Sequence, residues 1–327
     1  MLKKLQLDVL RADLASVEEL LSSRTREEDP IGHLQFSRRI AKLESEIETL
    51  SGTVENHAEL GIFFGGAPVQ GSRGISADFA GKALEDIQAL ISKRFTGREL
   101  GPLKKTGRVP LNDHSQMLVT DVVRGSFGFV LSEAGDTAEM VETPLKEVVE
   151  EVSDILSRIG ANDETVFDEA AAQLDERLLV TLKQFFQRLD DQGATMRIVH
   201  GARDFLLDRN AISLARGRVK ELEISEATSE YVGWLFMSPY SKRFDLLLQD
   251  GAEQTVLKGS VGDEVLKQLA GQLELGEQPI DIRTISTTAW RVEVKQREIR
   301  ERNRVPRYVY TLVRLKSTVE SSPILNS

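Results

Sequence analysis

The first 52 residues contain two short apolar seams with coiled-coil spacing, and this feature constrains the fold most. Apolar residues recur there at alternating steps of three and four, which keeps one stripe of each helix facing a partner. Pro30 and Gly32 lie between the seams and interrupt the helical pattern. The seam residues are Leu7, Leu10, Leu14, Val17 and Leu21, followed by Phe36, Ile40, Leu43, Ile47 and Leu50.

These seams predict a coiled-coil-like antiparallel helical hairpin over residues 1–55. Two helices alone cannot bury both seams fully, so the ten seam residues form the predicted assembly surface. We expect this surface to contact a second copy of the chain or a partner subunit.

The chain has 327 residues, more than one typical domain, and its patterns predict an α+β protein in three parts. The hairpin is followed by an α+β central domain over residues 56–225 and a small β-barrel over residues 226–327. Within the central domain, the patterns predict a strand over 59–64, a helix over 77–95 followed by a loop over 96–112, a helix from Pro144 to about Arg158, and one longer helix over 164–190. In the barrel segment, three strand patterns precede a helix at 263–273, and strand patterns at 280–286, 289–299 and 307–315 follow it. This order is typical of an OB-like barrel, with an SH3-like barrel as the near alternative.

Composition argues against several chemistries. Cysteine is absent, and the four histidines, His33, His57, His114 and His200, lie far apart in sequence, so we expect no metal site and no thiolate nucleophile. The lack of cysteine is typical of a reducing, cytoplasmic setting. The sequence contains neither a long apolar run nor a signal-peptide pattern, so no membrane contact is predicted, and no motif indicates a cofactor.

Charge is distributed unevenly along the chain. Residues 133–191 contain sixteen acidic and five basic residues, whereas residues 291–316 contain nine basic and three acidic ones. Basic residues interleaved with tyrosines on a barrel suit single-stranded nucleic acid, and Trp234, Phe236, Tyr240 and Phe244 would add to such a face. The predicted nucleic-acid-binding residues are Arg297, Arg300, Arg302, Arg304, Arg307, Tyr308 and Tyr310. The alternative is that the aromatic residues fill the barrel and the arginines pair with nearby glutamates.

A glycine-rich turn follows the first strand pattern and precedes a helix. Gly66 and Gly71 have P-loop spacing, but Ser72 and Arg73 stand where that motif needs lysine and then serine or threonine, which argues against nucleotide hydrolysis. Ser72 and Arg73 are candidate anion-binding residues near the helix N-terminus. The simpler interpretation is a turn that uses the conformational freedom of glycine.

One triad resembles the carboxylate–lysine pattern of metal-dependent nucleases. Asp281 lies on one predicted strand, and Glu293 and Lys295 lie on the next. Carboxylates in this arrangement hold Mg²⁺ while the lysine stabilises developing charge. Charged residues also alternate in this way on any half-buried strand.

The sequence thus favours a non-enzymatic interaction or adaptor subunit of a multicomponent cytoplasmic assembly, contacting single-stranded nucleic acid through the barrel. A metal-dependent nuclease using Asp281, Glu293 and Lys295 is one alternative, and a purely protein-binding module is the other. Arginines that are free on an open face would favour nucleic acid, and arginines paired to local acids would favour protein binding.

Overall fold

The computed structural model describes residues 2–23, 25–27, 29–101, 107–123, 127–134, 141–238, 241–250, 253–269, 285–302 and 304–319. The described residues form eight α-helices and twelve strands, which confirms the α+β class. They divide into two compact units. The first unit comprises residues 1–95, 111–162 and 185–215, and the second comprises residues 96–110, 163–184 and 216–327. The division at residues 55 and 225 stays a prediction.

A five-stranded antiparallel sheet forms the centre of the first unit. Its strands are β1 (Glu59–Gly66), β4 (Met117–Val123), β5 (Phe127–Glu133), β6 (Ala194–His200) and β7 (Arg203–Leu207), in the order β4-β5-β1-β6-β7. The central strand β1 is buried at five consecutive positions, Leu60 to Phe64, so both of its faces are covered.

Six helices contribute to this unit, three of them only in part. They are α1 (Lys3–Ser22), α2 (Pro30–Gly52), α3 (Ala77–Leu100), α4 (Pro144–Ile159) and the C-terminal part of α6 (Glu176–Asp191), and α7 (Arg209–Glu221) begins here. A small hairpin, β2 (Val69–Gln70) and β3 (Gly74–Ile75), lies between β1 and α3. The loop predicted from residue 96 starts later in the structure, because α3 continues to Leu100. Residues 102–106 lie outside the described chain.

The two N-terminal helices contact each other along their length. The Asp13 carboxylate and the Arg39 guanidinium form an ion pair of 2.6 Å, and Lys3 Nζ donates to the Ser51 carbonyl at 3.2 Å. Leu2 is buried in a cluster that includes Phe63, so the start of α1 is fixed against the sheet.

The second unit contains a closed five-stranded barrel in the order β10-β12-β11-β8-β9. Its elements are β8 (Glu223–Ser238), β9 (Arg243–Asp250), β10 (Glu253–Val261), α8 (Asp263–Leu269), β11 (Ala289–Arg300) and β12 (Arg307–Val319). The β10–β12 pair is parallel, and the other barrel pairs are antiparallel. Apolar side chains including Leu235, Phe244 and Val292 fill the interior. The helix α5 (Glu164–Ala171) and the N-terminal part of α6 also belong to this unit.

Three sequence predictions need correction. The single helix expected over residues 164–190 is two helices, because Asp175 caps α6 by accepting a hydrogen bond from the Leu178 N–H at 2.8 Å. Ile285 is not in a strand: it is buried in the barrel core, and its carbonyl accepts a bond from Trp290 Nε1 at 3.1 Å. Phe244 is 1% exposed and therefore cannot contribute to a surface.

Within the described chain, no helix combines the length and the apolar character needed to cross a bilayer.

Candidate interaction surfaces

The seams of α1 and α2 are shielded from solvent only in part. Val17 and Leu43 are buried at 5% exposure each, whereas the other eight seam residues are half-buried. The helices also carry exposed apolar side chains outside the seams, Val9 at 62% and Leu34 at 52%. Much apolar area of α1 and α2 therefore remains accessible.

Two basic residues of β11, Lys295 and Arg297, share one glutamate on β8 as their ion-pair partner. Glu226 Oε2 lies 2.5 Å from Lys295 Nζ, and Glu226 Oε1 lies 3.0 Å from Arg297 Nε. All three side chains are less than one-fifth exposed. Arg297 also donates to the Ala172 carbonyl at 2.9 Å. Neither cation is available to a phosphate while these contacts persist.

The connection between β11 and β12 is held by a second ion-pair network. Arg304 lies 3.0 Å from a Glu164 oxygen, 3.2 Å from Asp168 and 3.0 Å from Glu301. Arg307 pairs with Asp168 at 3.1 Å and with Glu301. The three carboxylates approach within 4.8 Å of one another, but the two guanidinium groups already supply the positive charge that a cation would bring.

Glu298 organises a third, exposed group of charges. It accepts hydrogen bonds from Arg300 Nε at 2.9 Å and from the Tyr308 hydroxyl at 3.1 Å. The hydrogen bond from Arg300 is the main cause that lowers the pKa of Glu298, and the hydrogen bond to Glu298 raises the pKa of Tyr308. The exposed Arg302 has no carboxylate partner among the described residues.

Of the predicted nucleic-acid-binding residues, Tyr310 packs against the barrel core and Tyr308 is 49% exposed. The structure therefore does not form one continuous basic face from them. The partner acids Glu226, Glu164 and Asp168 were not identified from sequence, because they are distant along the chain from residues 291–316.

The nuclease triad is described only in part. Lys295 is paired with Glu226, and a Glu293 oxygen lies 2.6 Å from Lys316 Nζ. Asp281 lies outside the described residues. The two described members of the triad thus have other charged partners.

The predicted anion-binding residues lie in the turn of the small β2–β3 hairpin. Ser72 and Arg73 are exposed there, ahead of the first residue of α3, Ala77. The Arg73 N–H donates to the Gln70 carbonyl at 3.0 Å, so one backbone donor of the turn is already used. Anion binding at this turn stays a prediction.

A cleft of about 370 Å³ in the second unit is lined by α6, the start of β8 and the end of β11. Lys183 lies in it and donates to the Leu222 carbonyl at 2.8 Å, and burial lowers the pKa of its amine. The lining of the cleft contains three acidic and two basic residues: Glu176, Glu223, Glu298, Lys183 and Arg300. This mixture of charges selects no ligand class.

The outside of the barrel carries an apolar patch that the sequence analysis only partly identified. Along β8, Val232, Trp234 and Phe236 alternate with inward-facing Gly233, Leu235 and Met237. The register places Trp234 beside Leu247 of β9, and Leu247 beside Val256 of β10. We call Val232, Trp234, Phe236, Leu247 and Val256 the outer patch. In the sequence, this patch is indicated by a strand with apolar residues at both odd and even positions, because one of the two sets must then face outward.

No protein-family model, curated protein or solved structure matches this chain.

Proposed function

We propose that this chain is a non-enzymatic interaction subunit that self-associates through α1 and α2, which form an antiparallel helical hairpin. The observation that carries this proposal is the incomplete burial of the seams. Lys3 at the start of α1 contacts Ser51 at the end of α2, and Asp13 pairs with Arg39, as an antiparallel hairpin requires. Eight seam residues nevertheless stay half-buried.

Burial of the seams against a second hairpin sets an upper limit on the association energy. Full burial of a large apolar side chain contributes about 1.5–3 kcal/mol, so completing the burial of a half-buried one contributes about 1 kcal/mol. The half-buried seam residues of two copies would then contribute about 16 kcal/mol at most. Association costs about 4–15 kcal/mol, so the surplus depends on how well the two hairpins pack.

The barrel supports protein binding better than phosphate binding at residues 291–316. Binding of single-stranded nucleic acid by this segment would need free arginines. Instead, four of its arginines each pair with a carboxylate: Arg297, Arg300, Arg304 and Arg307. Nuclease activity gains no support, because Glu226 neutralises the lysine that would stabilise developing charge.

The barrel is assigned here to the OB-like class rather than the SH3-like class. Support comes from the helix α8 between the third and fourth barrel strands and from closure by a parallel pair of the third and fifth strands. This assignment concerns topology, and function does not follow from it.

Sedimentation equilibrium of the full chain at about 1–50 µM tests self-association over the range in which such an energy surplus is detectable. We expect a dimer or larger species that dissociates in the double variant Leu14→Asp/Leu43→Asp. The matched control is Ala12→Asp/Ala41→Asp, which places the same charges at exposed positions of the same helices. A monomeric unmodified protein throughout this range would refute the proposal, and so would equal dissociation of the control.

A further inference from the structure

The outer patch exposes large apolar side chains that the barrel does not need for its core. Phe236 is 49% exposed, Val256 45% and Val232 44%. The interior is already filled by other residues, so these side chains do not complete the core. Contiguous apolar groups of this kind on a soluble protein mark binding surfaces, whereas single exposed apolar residues do not.

Basic side chains lie at the margins of the patch, and one acidic residue, Asp245 on β9, lies directly cross-strand from Phe236. Arg243 lies on β9, cross-strand from Ser238 and Ser260, and the described chain offers it no carboxylate partner. Arg291 lies on β11 directly beside Val232. Lys258 completes the set on β10, and its contact with Asp245 is long, 3.6 Å, between side chains that are 72% and 51% exposed. An ion pair this exposed constrains the lysine only weakly.

The geometry restricts what can bind. Trp234 and Leu247, at the centre of the patch, are each paired with strands on both edges, so a peptide strand cannot be added there. A ligand at the centre of the patch therefore binds through side chains. Two neighbouring aromatic side chains on one face, with cations at the margins, suit stacked bases with phosphates beside them.

We propose that the outer patch binds single-stranded nucleic acid, with bases stacked on Trp234 and Phe236 and phosphates held by Arg243, Lys258 and Arg291. Of the basic segment 291–316 that the sequence singled out, only Arg291 contributes to this surface. The proposal is independent of the proposed self-association.

Fluorescence anisotropy with a labelled oligothymidylate and the full-length protein at low salt tests the proposal. We expect Phe236→Ala to weaken binding by about 5- to 150-fold, the loss of one base–aromatic stack. The matched control is Tyr308→Ala, because Tyr308 is also 49% exposed but lies on β12 in the arginine-rich segment. We expect this control to bind like the unmodified protein. Thermal unfolding of both variants establishes that they are folded.

Salt dependence and a duplex probe complete the test. Each released phosphate contact changes the slope of log affinity against log salt by about 0.7 for single strands, so Arg243→Ala should flatten the slope by about that amount. A duplex of the same length should bind more weakly, since its bases are not free to stack. Undetectable binding of the oligothymidylate, equal binding of Phe236→Ala and unmodified protein, or loss of binding in Tyr308→Ala alone would each overturn the proposal. A change in sedimenting mass caused by Phe236→Ala, without oligonucleotide binding, would identify the patch as a protein contact instead.

Discussion

Replacement of Glu226 tests how much its ion pairs contribute to the stability of the barrel. It is the shared partner of Lys295 and Arg297, and all three side chains are largely withdrawn from water. Replacing Glu226 by Gln keeps the size of the side chain and removes its charge. Lys295, which is 7% exposed as a residue, would then lose its ion-pair partner in a poorly hydrated position.

The expected loss of stability follows from this burial. Breaking a buried ion pair by removing one partner costs about 3–5 kcal/mol. The amide oxygen of Gln can still accept one hydrogen bond, so we expect a value near the lower end, about 3 kcal/mol. The matched control is Asp245→Asn, which removes the carboxylate of the exposed Lys258 pair. Exposed pairs contribute about 0.2–1 kcal/mol, so the control should lose little.

Urea unfolding monitored by tryptophan fluorescence measures this effect selectively. The chain has two tryptophans, Trp234 and Trp290, and both lie in barrel strands, so the signal reports on the barrel. A loss of about 3 kcal/mol lowers the urea midpoint by about 1–3 M. The second variant Glu226→Gln/Lys295→Met should recover part of the loss, because it removes the unpaired ammonium. Equal midpoints for Glu226→Gln and Asp245→Asn would refute this reasoning, and so would a double variant less stable than Glu226→Gln.

Two further predictions concern the first unit. The Arg197 guanidinium is the main cause that lowers the pKa of Asp204 from 3.8 to about 2, so this carboxylate stabilises the fold above pH 4 and loses that contribution as pH falls from about 4 to 2. Asp204→Asn should therefore lower the free energy of unfolding by about 1 kcal/mol at pH 7, allowing for solvent screening, and thermal unfolding should show the difference vanishing towards pH 2. Gly66 has φ +81°, and an added Cβ would lie 2.2 Å from a backbone carbonyl oxygen, so Gly66→Ala should lower the melting temperature. Gly81→Ala, in open space within α3, should raise it slightly, and the opposite ranking by calorimetry would contradict the argument.

Local patterns predicted most of the elements because short-range physics determines them. The strand at Glu59 and the helix at Pro144 begin at the predicted residues, since an apolar run and a Thr143–Pro144 helix start are local signals. The break between α5 and α6 depends on one capping side chain, Asp175, within a continuous apolar period, so periodicity alone does not detect it. β7 (Arg203–Leu207) was missed because it is short and borders a turn at Gly201, where φ is +54°.

The candidate site could be predicted less well, because charge compensation is a long-range property. Residues 291–316 are strongly basic in sequence, but Glu226 and Asp168 reach them only through the fold. Aromatic side chains posed the same difficulty. Trp234 and Phe244 both lie in barrel strands, yet strand register directs the first outward and the second into the core.

Ion pairs between distant segments explain why the acidic middle of the chain and its basic end need not imply an external partner for either. Glu164 and Asp168 belong to the acidic stretch, and Arg304 and Arg307 belong to the basic one, and within the second unit they neutralise each other. A net charge computed over a segment therefore overstates what a ligand would meet. Among the described residues, the surfaces that the fold leaves accessible include the half-buried seams of α1 and α2, and the outer patch with Arg243 at its margin. Both surfaces are mainly apolar, and apolar area of this kind is what protein interfaces bury at their centres.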